Sequence, residues 1–111
     1  MIFIFGPLLS GKRTVAKDLL RCDDTELVKR AVWDVQELAR ERADLEDLAD
    51  ELSRYDAVIA TEVGGGVVPL DRAEREARER AGRLNCLLAG RAETVVRVFC
   101  GIPQVIKGEL S

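Results

Sequence analysis

Gly6-Pro7-Leu8-Leu9-Ser10-Gly11-Lys12-Arg13-Thr14 has the spacing of a phosphate-binding loop, a GxxxxGK run followed by Arg-Thr. Two glycines let the backbone curl so that successive N–H groups converge on an anion, and a lysine at this place reaches the β- and γ-phosphates of a nucleotide. Gly6, Ser10, Gly11, Lys12, Arg13 and Thr14 are therefore candidate nucleotide contacts, with Lys12 the candidate catalytic cation. Arg13 stands where a Ser or Thr ordinarily ligates Mg²⁺, so metal contacts fall to Thr14, one residue late and turned about 100° round the helix, and to Glu62. Glu62 ends an apolar run and precedes Gly64-Gly65-Gly66, where main chain can approach a ligand closely; it is the second candidate catalytic residue. Arg72, Arg75 and Arg78 recur at i, i+3, i+6 and could clamp phosphates, although each has an acidic neighbour in reach. Asn85 is a polar core or ligand contact, Trp33 reads as packing, and the three cysteines as small buried hydrophobes.

Composition removes other chemistries. The chain has 111 residues and no histidine, which excludes Ser-His-Asp and Cys-His nucleophilic mechanisms, a His-ligated metal and a phosphohistidine-type intermediate. Twenty acidic against seventeen basic residues leave a net charge of −3, which argues against a nucleic-acid partner. Cys22, Cys86 and Cys100 are odd in number and lack CxxC spacing, as expected of reduced cytosolic thiols. The apolar run Ile2–Phe5 is too short for a signal peptide and no stretch is long enough to span a membrane, so a cytoplasmic protein is expected.

The elements that must position these residues follow from periodicity. Residues 2–5, 57–61 and 94–100 are short apolar, β-branched bursts that read as buried strands, and Val105-Ile106 could add an edge strand. Helical spacing follows Gly11, recurs at Leu45, Leu48, Ala49 and Leu52, and runs from Asp71 through Ala73, Ala77, Ala81, Leu84 and Leu88 towards a stop at Gly90. Glu74–Arg78, Glu76–Arg80 and Glu79–Arg83 are i,i+4 pairs in the favourable orientation. Residues 23–38 are ambiguous. Their 3–4 spacing favours one helix capped at Asp23, Asp24 or Thr25, while Ala31–Val35 alone reads equally as a short strand. Apolar strands separated by helices predict a single α/β domain over residues 1–111, with a small, mainly parallel sheet. Ligands in such sheets sit beyond the carboxyl ends of the strands, where Gly6, Gly64 and Gly101 fall.

Thr61-Glu62-Val63-Gly64-Gly65-Gly66-Val67-Val68-Pro69, with Arg72, Arg75, Gly82-Arg83-Leu84-Asn85, Val98-Phe99-Cys100-Gly101-Ile102-Pro103 and Lys107, resembles the bifunctional adenosylcobinamide kinase / adenosylcobinamide-phosphate guanylyltransferase family of the CobU type. The resemblance covers residues 1–20 and 57–107. It implies a RecA-like P-loop NTPase fold of three layers, binding of ATP or GTP with Mg²⁺, a corrinoid alcohol as phosphate acceptor, and a homo-oligomer. The family carries its guanylyl group on a histidine, which this sequence lacks. Its middle portion, with a further strand, is not recognisable between residues 21 and 56. Arg13, Thr61 and Cys86 replace the family's serine, asparagine and glutamine. The expected function is therefore a nucleotide-dependent kinase without the guanylyl step, or else a nucleotide-binding module derived from that family.

Overall fold

A computed structural model describes residues 1–62 and 71–109. The sheet has five strands: β1 (Ile2–Gly6), β2 (Ala31–Val32), β3 (Ala57–Thr61), β4 (Thr94–Phe99) and β5 (Ile102–Lys107), in the order β2-β3-β1-β4-β5. β2, β3, β1 and β4 are mutually parallel, and β5 returns antiparallel along β4. The helices are α1 (Lys12–Leu20), α2 (Asp24–Arg30), α3 (Val35–Glu41), α4 (Leu45–Leu52) and α5 (Arg72–Arg91).

Alternation along the strands feeds two cores. Phe3, Val58, Ala60 and Val95 face α3, α4 and α5, where Val35, Leu48, Leu84 and Leu88 meet them. Ile4, Ala57, Ile59, Val96 and Val98 face α1 and α2 through Val15, Ala16 and Leu27. Burying a side chain such as Leu84 or Leu88 contributes about 1.5–3 kcal/mol. The result is the α/β three-layer P-loop NTPase architecture expected, with helices on both faces of a mainly parallel sheet.

The single helix favoured over residues 23–38 is instead two helices separated by a strand. Asp23 caps α2 by accepting from the Glu26 N–H at 2.9 Å. The chain then becomes extended at Ala31, and β2 pairs with Ala57 and Val58. Leu27 and Ala31 bury in one core, and Val35 and Ala39 in the other. One straight helix cannot present its apolar residues to both faces of a sheet. Crossing the sheet needs an extended segment, so tertiary placement overrides the helical spacing. The alternative of a short strand within Ala31–Val35 is the one the structure adopts, as β2 over Ala31–Val32.

Three smaller expectations are also corrected. α5 does not stop at Gly90 but continues to Arg91. The ion pairs expected within α5 are displaced: Glu74 receives both guanidinium nitrogens of Arg40, Glu76 pairs with Arg72, and Arg80 donates to the Ala39 and Arg42 carbonyls at the end of α3. Cys86 and Cys100 are exposed and Cys22 is half-buried, all three as free thiols. The edge strand expected near Val105 is β5, whose residues are all exposed, with Ile102, Val105 and Ile106 among them.

Candidate functional site

The loop between β1 and α1 closes on itself and on the β4–β5 turn. A Cβ on Gly6 would lie 2.2 Å from the Val98 carbonyl oxygen and 2.9 Å from Ser10 Oγ, so no side chain fits there. Gly11 takes φ +94° at the N-cap of α1, and a Cβ there would stand 2.9 Å from Gly101 Cα. Gly101 in turn donates its N–H to the Ser10 carbonyl at 2.7 Å. Phe99 pairs with Ile102, leaving a two-residue turn at Cys100 and Gly101 with φ of 52° and 76°, the sign demanded of a tight hairpin loop.

Inside this ring Lys12 is 8% exposed, and its ammonium donates to the carbonyls of Gly6 at 3.2 Å and Pro7 at 2.6 Å. Burial pushes the Lys12 pKa below the ordinary lysine value, and the carboxylates of Asp34 and Glu62 oppose that shift. Ser10 is buried, and its hydroxyl has no hydrogen-bond partner among the described residues. Leu8 and Leu9 on the rim are exposed.

The other strand ends supply polar groups. The Glu62 N–H donates to the Gly6 carbonyl at 2.8 Å, which fixes the end of β3 beside the loop. Thr61 Oγ1 donates to Asp34 Oδ1 at 2.9 Å, and the Thr61 N–H donates to Gln36 Oε1 at 3.0 Å. Asp34 is the left-handed N-cap of α3, at φ 51°, directly beyond β2. Glu62 accepts both Arg97 nitrogens, Nε at 2.7 Å and Nη2 at 3.1 Å, and the Arg97 guanidinium lies 5.6 Å from the Phe99 ring centroid.

The structure thus brings together Gly6, Ser10, Gly11, Lys12 and Glu62 among the residues expected from sequence. Arg13 turns outward, pairing with Asp24 at 3.0 Å and lying over the Trp33 ring, and Thr14 is exposed on α1. Arg75 is exposed near the start of α5. Asn85 Oδ1 is buried without a partner among the described residues. Gly64 and Gly66 lie outside the described residues. Sequence reasoning missed Asp34, Gln36 and Arg97. Taking Ala31-Val32 as a strand would have put Asp34 at a strand's carboxyl end, and Arg97 is the only charged residue within β4.

Beside Gln36 a cleft of about 180 Å³ opens between α3 and α5, bordered by Arg40, Glu74 and Arg78. Two wider grooves, one along β2 and α4 and one between α4 and α5, contain neither Lys12 nor Glu62. The converging polar groups lie at the strand ends around Lys12, which makes that end of the sheet the candidate site.

The donor set suits a hard cation only in part. Among the described residues no group of three or more His, Cys, Asp or Glu side chains could hold a metal by itself. Asp34 Oδ2 takes no part in the contacts with Thr61 and Gln36, whereas both Glu62 oxygens accept from Arg97. The two carboxylates would suit a hard cation such as Mg²⁺, which prefers oxygen donors.

Comparison with known proteins points one way. The family model described as cobinamide kinase / cobinamide phosphate guanyltransferase matches residues 22–106. That span runs through the middle that had seemed unrecognisable and excludes the loop around Lys12. The bifunctional adenosylcobalamin biosynthesis protein CobP of Pseudomonas aeruginosa is 35% identical over 92 residues, 83% of this chain. Those residues are 47% of CobP, so the chain spans about half the length of this curated relative.

Proposed function

Because this chain belongs to the cobinamide kinase / cobinamide phosphate guanyltransferase family, we propose that its first loop binds ATP or GTP and that the domain transfers the terminal phosphate to the alcohol of a cobinamide-type corrinoid. The observation that carries this reading is the buried Lys12 ammonium, folded onto the Gly6 and Pro7 carbonyls inside a ring whose two glycines admit no side chain. A terminal phosphate seated in that ring takes the place of the two carbonyls as the ammonium's partner. The first N–H groups of α1, which have no helical acceptor, and the positive end of its dipole add to the attraction.

In the transfer the acceptor hydroxyl oxygen attacks phosphorus, its proton passes to water, and the bond to the departing nucleotide diphosphate breaks. Lys12 follows the charge spreading over the transferring group. Glu62 and Asp34, at the ends of adjacent strands, orient the acceptor hydroxyl and the water around the phosphates. Bound Mg²⁺ would neutralise phosphate charge, with Asp34 and Glu62 as its carboxylates in place of the Thr14 contact expected from sequence. The 111 residues contain no histidine, so the guanylyl-histidine route of the family has no nucleophile in them.

A second reading, nucleotide binding without transfer, is favoured by one observation. The position that ordinarily supplies a metal-binding hydroxyl is Arg13, and its guanidinium is committed to Asp24 and Trp33.

Melting curves with ATP or GTP, with and without Mg²⁺, test the common premise. Nucleotide should raise the melting temperature, and Lys12→Ala should abolish the rise. A rise that persists in Lys12→Ala refutes the assignment of the loop. Incubation with adenosylcobinamide, nucleotide and Mg²⁺ then separates the two readings. A phosphate ester supports transfer, and none formed with nucleotide demonstrably bound leaves the binding module.

A further inference from the structure

The Arg97–Glu62 pair is the part of the site for which the family resemblance gives no reason. Arg97 is opposite Phe5 in the ladder, and Glu62 follows Thr61, which is opposite Gly6. The guanidinium therefore crosses β1 immediately below the phosphate loop to reach a carboxylate on the strand beyond. It holds that carboxylate with two nitrogens, and Phe99, two residues along the same strand, lies against the cation. A bidentate fork fixes both the position and the plane of a carboxylate, which a lysine cannot do.

The need for such a clamp is geometric. The Glu62 N–H and the Lys12 ammonium both donate to one atom, the Gly6 carbonyl oxygen. The lysine head is thus within a glutamate side chain's reach of the Glu62 backbone. A Glu62 without its arginine would have the Lys12 ammonium within reach, since both residues bond the same Gly6 oxygen. A lysine bound to an internal carboxylate is neutralised, and the loop then attracts phosphates less strongly.

We propose that Arg97 is a positioning residue that holds the Glu62 carboxylate off Lys12, keeping the lysine available to the phosphates of a nucleoside triphosphate. This rests on the phosphate-binding reading of the loop. Arg97 touches the carboxylate and not the phosphates, so its effect on binding exists only while Glu62 carries a charge.

The test is a double-mutant cycle read by calorimetric titration of ATP and GTP in the absence of Mg²⁺. Arg97→Met should weaken nucleotide binding about tenfold, a moderate effect in keeping with a pair that is one-third exposed. Adding Glu62→Gln to Arg97→Met should restore affinity to within about threefold of the original, because the competing charge is gone. Arg97→Lys, which keeps the charge and disturbs packing least, should fall between. Should Arg97→Met not fold, Arg97→Lys with and without Glu62→Gln provides the same cycle. A double variant as weak as Arg97→Met overturns the proposal, because the loss then does not depend on the Glu62 charge. Unchanged affinity in Arg97→Met overturns it too. Failure of the original protein to bind nucleotide is a separate outcome: it removes the loop assignment itself, and this inference with it.

Discussion

Three glycines in and around the β1–α1 loop differ in what constrains them, and alanine at each should separate backbone strain from steric exclusion. Gly101 has φ +76° and nothing within 4 Å of the place an added methyl group would take. Its alanine meets only the left-handed penalty of about 1–2 kcal/mol, partly offset by the lower entropy of the unfolded chain, so about 1 kcal/mol is expected. Gly11 has the same kind of backbone, at φ +94°, but its Cβ would also sit 2.9 Å from Gly101 Cα. Relieving that contact draws the hairpin turn away and forfeits the 2.7 Å bond from the Gly101 N–H to the Ser10 carbonyl, worth about 1 kcal/mol, so Gly11→Ala should lose about 2–3 kcal/mol. At Gly6 the obstacle is a backbone oxygen 2.2 Å away, with Ser10 Oγ at 2.9 Å. Only separation of β1 from β4 removes it, and Gly6→Ala should lose more than about 3 kcal/mol. Urea denaturation of the three variants gives the order directly, with melting temperatures falling about 4 °C per kcal/mol. Gly101→Asn should be milder than Gly101→Ala, because asparagine tolerates the left-handed region. If Gly11→Ala costs no more than Gly101→Ala, the loop does not pack on the hairpin turn and the steric argument fails.

Three further outcomes follow from the site and its supports. Lys12 has its folded pKa below the unfolded value because of burial, so the unfolded state binds more protons through that interval. Stability from this group should therefore rise with pH from the folded Lys12 pKa up to the ordinary lysine value, and Lys12→Met should remove that rise in pH-resolved urea titrations. Glu62→Gln, by deleting one of the charges that oppose the shift, should push the Lys12 pKa lower still, which ε-carbon NMR shifts would detect. Arg80 is half-buried on α5 and donates to the Ala39 and Arg42 carbonyls at the end of α3. Arg80→Met keeps the aliphatic stem but leaves those carbonyls without the guanidinium, and should destabilise by about 1–3 kcal/mol in urea; a loss below about 0.5 kcal/mol would show that water replaces it without penalty.

What could be read before the structure depended on how local its cause was. The runs at residues 2–5, 57–61 and 94–100 are largely buried on both faces, so they are mostly apolar and announce themselves as parallel strands. The turn from Gly6 to Lys12 was legible because the positive φ of Gly11 is a local demand, whereas the Val98 carbonyl that bars a side chain at Gly6 comes from a distant strand. Residues 23–38 were not, because Leu27 and Val35 serve opposite faces of the sheet, a fact no spacing along one chain records. The cysteines misled in the same way: their apolar character says nothing of Cys86 and Cys100 lying on the outer sides of α5 and the hairpin.

The sequence by itself determined the chemistry on offer: a GxxxxGK run with its lysine, a carboxylate at a strand end, an arginine directly after that lysine, and no histidine. Only the tertiary structure decided which groups meet. It turned Arg13 away to Asp24 and Trp33, brought Asp34 from the end of β2 onto Thr61 at the end of β3, and laid Arg97 across β1 onto Glu62. The physical reason is that residue type fixes a group's charge and hydrogen-bonding capacity. Its partners are set by strand order and register, which join residues far apart in the chain and depend on how the whole chain shares out its two apolar cores.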